Sequence, residues 1–62
     1  MNYRDIETIL RNDGWVWFRS HGSHRNFRHK AKRGVLTIPF HDATVELPPR
    51  IVRAIMLRAG LA

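Results

Sequence analysis

Near the start of the chain, apolar residues recur at helical spacing. Tyr3, Ile6, Ile9 and Leu10 fall on one stripe of the segment NYRDIETILRNDG, which predicts a first helix. Asn2 caps it, Asp5 and Glu7 lie near its positive end, and Gly14 is placed to end it with Trp15 folding back on Leu10. The period then shortens to two. WVWFRS, residues 15–20, is aromatic and β-branched and predicts a strand. Its alternation leaves open whether Trp15 and Trp17 or Val16 and Phe18 face the core. HGS is turn material. HRNFRHK, residues 24–30, sets Arg25, Phe27 and His29 on one side and His24, Asn26, Arg28 and Lys30 on the other. With Phe27 inward, the second set shares an open face.

AKRG turns through Gly34, and VLTIPF, residues 35–40, predicts a third strand with Leu36, Ile38 and Phe40 inward. Pro39 cannot donate to a ladder, so this strand ends there or lies on an edge. Beyond the loop HDATVEL, Pro49 suits the first turn of a second helix, whose buried stripe is Ile51, Val52, Ile55 and Ala59. Arg50, Arg53 and Arg58 fall outside that stripe. Gly60 ends the helix, and Leu61 can reach Met56 in a Schellman-type cap. The order is α-β-β-β-α. It predicts an α+β fold with a three-stranded antiparallel sheet, both helices on one face and the other face open. Residues 1–62 make a single domain, with no repeat, linker or low-complexity segment.

Size limits the core. A domain near 60 residues buries roughly 60% of the surface its unfolded chain exposes, so packing is thin. The chain has no cysteine, which excludes disulfides, thiolate chemistry and the usual zinc-finger cages. No apolar run approaches the roughly 20 residues of a membrane span, and MNYRDIETIL lacks a signal peptide's apolar stretch. A cytoplasmic protein with no membrane partner is expected.

Charge changes the picture more. Eleven Lys and Arg stand against five Asp and Glu, a formal +6. Between Arg19 and Arg33 lie six basic residues, three histidines and no acid. A field of one sign attracts polyanions, and RNA is the polyanion that brings its own nucleophile, the 2′-hydroxyl beside each phosphate. Cleaving it requires a proton taken from that hydroxyl or given to the leaving 5′-oxygen. An imidazole, with an ordinary pKa of about 6.5, does either near neutral pH without metal or cofactor. His24 is the first candidate, since Arg28 shares its strand face. Arg25, Arg28, Lys30, Lys32 and Arg33 are candidate phosphate ligands, with Ser23 and Asn26 as orienting groups. His41, at a strand end, is an auxiliary candidate. His29 has the parity of Phe27 and reads as a packed, hydrogen-bonded ring. His21 reads as a loop residue or a phosphate contact. A metal site from His21, His24 and His41 matches no familiar spacing and is not assigned.

Three motifs now stand in order: Gly22-Ser23-His24 with Phe27 three positions on, Pro39-x-His41 closing a strand, and Ala59-Gly60-Leu61 closing the last helix. DGWVWFRSHGSHRNFRH, LTIPFH and IVRAIMLRAGLA resemble the HicA family of toxins from toxin–antitoxin pairs, over nearly the whole chain. The resemblance implies a fold like a double-stranded-RNA-binding domain. It also implies a ribosome-independent endoribonuclease that cuts messenger RNA, with His24 as its catalytic histidine and a HicB-type antitoxin as its silencing partner. One departure is Leu47-Pro48-Pro49, where family members often carry a Gly-Thr type sequence before the last helix. The alternative is an RNA-binding module of the same fold that performs no chemistry.

Overall fold

The computed structural model describes residues Met1–Ala62 and has the predicted order: α1 (Tyr3–Asn12), β1 (Trp15–His21), β2 (His24–His29), β3 (Leu36–Pro39) and α2 (Pro49–Arg58). The strands form one antiparallel sheet in the order β1-β2-β3, with β2 at the centre. Both helices lie on one face. Tyr3, Ile6 and Leu10 from α1 and Ile55 and Ala59 from α2 join Trp15, Phe27, Leu36 and Ile38 of the sheet in one buried cluster. Trp15 and Trp17 take the helix side, and Val16 and Phe18 stay on the open side at 57% and 37% exposure. Trp15 decides this by geometry. Its indole Nε1 donates to the Ala59 carbonyl at 3.3 Å, so its apolar body is buried while its one polar atom is satisfied.

The helix ends follow local chemistry. Asn2 Oδ1 accepts from the Asp5 backbone N–H at 2.9 Å. The Tyr3 and Arg4 N–H groups donate to the carbonyls of Val45 and Ala43, so the segment between β3 and α2 is strapped along the start of α1. At the far end of α2, Leu61 N–H donates to Met56 O and Gly60 N–H to Leu57 O, with Gly60 at φ 75. That pair of bonds is a Schellman cap, which needs a left-handed residue at this position. At its start, Pro48 makes no side-chain cap and Pro49 occupies the first turn. The departure at Leu47-Pro48-Pro49 therefore changes how α2 begins and leaves the sheet untouched. No helix is long and apolar enough to cross a membrane.

One irregularity matters for function. Trp17 pairs with Phe27, yet Arg19 pairs with Asn26, so β1 carries one extra residue, Phe18, against β2. This β-bulge exchanges the two faces of the strand beyond it. Without it, Arg19 and His21 would follow Trp15 and Trp17 toward the helices. With it, Arg19 shares the open face with Asn26, and His21 shares it with His24.

Candidate nucleic-acid interface

His24 opens β2, and its neighbours follow from the ladder. It pairs with His21 on β1 and with Pro39 on β3, and the bond from Phe40 N–H to Ser23 O (2.7 Å) extends that ladder one step. The turn before it has two residues, Gly22 and Ser23. Gly22 has φ 60 and no other residue type in the chain has positive φ, the signature of a type II′ hairpin turn. Gly22 supplies the left-handed position that a side chain would strain. His21, Ser23 and His24 are all exposed.

The open face around this hairpin is cationic with an aromatic centre. The guanidinium groups of Arg28 and Arg19 lie 5.0 and 5.5 Å from the Phe18 ring centroid. Lys30 and Arg33 are exposed at the β2–β3 connection. Asn26 lies on this face but is buried at 7% exposure, and its Oδ1 accepts from Thr37 Oγ1 at 2.9 Å. The side chain locks β2 to β3 through that bond.

Two of the cations expected to hold phosphate are engaged elsewhere. Arg25 takes the helix side, as its parity with Phe27 requires. Its guanidinium lies 3.6 Å from the Phe40 ring centroid and 4.0 Å from that of Trp17. Its Nη1 donates to Glu7 Oε1 at 3.3 Å and to the Tyr3 hydroxyl at 3.4 Å. Lys32 donates to Asp13 Oδ2 at 2.5 Å and to the Ala59 carbonyl at 2.9 Å, joining the end of α1 to the end of α2. Both side chains hold the sheet to the helices. The adjacent spacing on β2 places Arg25 and His24 on opposite faces, so the cations sharing the His24 face are Arg19 and Arg28.

His29 is a packed histidine. Its Nδ1 accepts from the backbone N–H groups of Ala31 and Lys32 at 3.0 and 3.2 Å, so the ring proton sits on Nε2, which donates to Asp13 O at 2.6 Å. The ring also meets Trp15 edge-on. His41 is exposed just past β3 and outside any strand. No three His, Asp or Glu side chains converge in a cluster that would hold a metal ion.

Several titrations are set by these contacts. Burial raises the Tyr3 phenol to about 12, reinforced by its hydrogen bond to Glu7. Burial also works to raise the Glu7 carboxyl. Bonds from Tyr3 and Arg11 and the charges of Arg11 and Arg25 outweigh it, leaving Glu7 below its ordinary value. Lys32 likewise holds Asp13 low, and the Thr44 backbone N–H holds Asp42 low. Carboxylates depressed in the folded state bind fewer protons than in the unfolded chain, so their contribution is complete above about pH 4.5 and is lost as acid reaches the folded values. Tyr3 acts oppositely: its contribution is full below pH 10 and lost as pH rises toward 12. The expected result is a plateau of stability across neutral pH with an acid limb that Glu7→Gln makes shallower. Urea midpoints from pH 2 to 8 measure it; an unchanged limb in the variant would count against the Glu7 cluster.

The fold and this surface define a small basic α-β-β-β-α domain with an open, histidine-bearing sheet face. The chain belongs to the HicA family: the family model described as "HicA toxin of bacterial toxin-antitoxin" matches residues 3–61, leaving out only Met1, Asn2 and Ala62. It is thereby a toxin of the toxin–antitoxin type. A search of curated proteins gives no match.

The charge and alternation of the sequence located Ser23, His24, Arg28, Lys30 and Arg33 on the exposed surface. His21 reads in the sequence as a loop residue or a phosphate contact, and Arg19 only as part of the basic run. The structure makes His21 the last residue of β1, and both residues reach the His24 face through the bulge, which no turn residue or proline marks.

Proposed function

We propose that this protein is an endoribonuclease that cleaves messenger RNA in the cytoplasm without metal or cofactor, with His24 as its proton-transfer group. The observation that carries this reading is the placement of an exposed imidazole at the head of the central strand, on a basic face free of both helices. A polymer backbone must lie along an open surface, and a sheet face offers one where a closed pocket does not. Arg19 and Arg28 supply donors for phosphate oxygens beside His24, with Ser23 in the turn and Lys30 and Arg33 at the far end. In the reaction the 2′-oxygen attacks phosphorus and the bond to the 5′-oxygen breaks. The products are a 2′,3′-cyclic phosphate and a 5′-hydroxyl. His24 moves a proton at one of the two oxygens.

A HicB-type antitoxin is the proposed partner. The same face pairs an apolar centre, Val16 and Phe18, with a rim of arginines, the anatomy of a protein-binding surface with acidic groups at its border. A partner seated there excludes RNA.

Purified protein incubated with a transcript in EDTA tests the reading. Shortened RNA ending in cyclic phosphate is expected, along with an intact all-deoxy strand of the same sequence. A stable RNA complex without shortening would favour a binding module, and 3′-hydroxyl ends would make water the nucleophile.

A further inference from the structure

His21 faces His24 across the hairpin. The two residues are direct partners in the β1–β2 ladder and close the two-residue turn at Gly22-Ser23, and both side chains are exposed. Directly opposed residues of an antiparallel pair share a face and have Cβ atoms about 4.5–5.5 Å apart. The bulge at Phe18 is what makes this so. A regular β1 would turn His21 toward the helices and leave His24 alone.

Cleavage by the 2′-hydroxyl has two proton transfers at two places. In an in-line displacement the attacking 2′-oxygen and the leaving 5′-oxygen stand on opposite sides of phosphorus. One imidazole cannot touch both. We propose that His21 is a second catalytic residue, so that the His21–His24 pair straddles the scissile phosphate and divides the two transfers between its rings. This rests on the ribonuclease reading above and adds to it. The balance is complete: a neutral ring takes the 2′-hydroxyl proton as the phosphorus–2′-oxygen bond forms. The other ring, protonated, gives its proton to the 5′-oxygen as that bond breaks. Each ring ends in the state in which the other began, and exchange with water resets them.

Neighbouring groups on this face suit the division. Arg19 comes from β1, Asn26 and Arg28 from β2 and Thr37 from β3; Pro39 lies beside His24, and His41 and Asp42 follow it. The two arginines lie two ladder steps apart, both against the Phe18 ring, with Arg19 the nearer to the histidine pair and placed for the nonbridging oxygens. His41 lies outside the ladder, so nothing fixes it opposite His24 as the hairpin fixes His21.

The test compares His21→Gln, His24→Gln and wild type on one RNA, with pH–rate profiles for each. Wild type is expected to show a bell with two limbs, and His21→Gln a fall on the order of 10²–10⁴ with one limb lost. Binding of a 2′-deoxy-blocked RNA should stay at the wild-type level. A second substrate carries sulfur in place of the 5′-bridging oxygen, a leaving group that needs no proton. It should restore the variant lacking the acid and not the variant lacking the base. Rescue of both variants or of neither overturns the division, as does His21→Gln with the full two-limbed profile. Wild type that leaves RNA whole overturns the ribonuclease reading itself, and this inference with it. If His21→Gln unfolds, His21→Asn with the sulfur substrate answers the same question.

Discussion

His24→Ala is expected to fold as the wild type does and to lose RNA cleavage by a factor on the order of 10²–10⁴. Two observations separate chemistry from folding here. The imidazole is exposed, so its removal belongs with surface substitutions, which change stability by about 0.5 kcal/mol or less. Its backbone, by contrast, is paired on both sides, to His21 and Pro39, so the strand position survives truncation of the side chain. RNA affinity is expected to hold near wild type, because phosphate contacts carry most of the binding and come from the arginines and lysines. In cells, induced wild-type protein should stop growth as transcripts shorten, and the variant should do neither. Superimposable far-UV spectra and melting curves, measured beside the cleavage rates, complete the comparison. A well-folded variant with full activity would remove His24 from the mechanism.

Much of this arrangement is legible in the residues because local signals and global packing agree. The 3.6-residue stripe of α1, the Asn2 cap and the Gly60 cap each have one physical solution, and the structure adopts it, whereas the turn read over residues 21–23 narrows to Gly22-Ser23 with His21 closing β1. The parity of β2 is equally plain, since a single Phe in a polar run must point inward and takes Arg25 and His29 with it. Three things were hidden. The choice between Trp15 and Val16 depends on a tertiary partner, the Ala59 carbonyl 44 residues away. The fates of Arg25 and Lys32 depend on carboxylates from α1, Glu7 and Asp13. Their charge alone could not distinguish a ligand for phosphate from an anchor for a helix. The bulge at Phe18 is the third, and the most consequential. It follows from the register of two strands and not from either one, and it decides which residues face His24.

Phe27→Ala is expected to unfold most of the protein at room temperature. Phe27 is fully buried in the central strand, between Trp17 on β1 and Leu36 on β3 in the ladder, within the core that both helices cover. Truncating a buried Phe to Ala costs about 3–5 kcal/mol, from lost transfer energy and from the cavity left behind. A single core in a domain of this size rarely supplies more than about 3–5 kcal/mol of net stability, so the loss is of the same size as the whole. Larger proteins absorb such a cavity; this one has only nine buried apolar residues to share it. Phe27→Leu, which keeps more of the volume, should fold with a lowered melting temperature. Activity should vanish in Phe27→Ala as in His24→Ala, but for a different reason, visible as lost near-UV dichroism of Trp15 and lost cooperativity on heating. A ligand that binds only the folded state pulls the equilibrium back, by about 2.7 kcal/mol at 100 times its Kd. An antitoxin that seats on the sheet should therefore restore folded signal to Phe27→Ala, whereas it cannot restore cleavage to His24→Ala. A wild-type melting curve for Phe27→Ala would mean that the sheet is held from somewhere other than its centre.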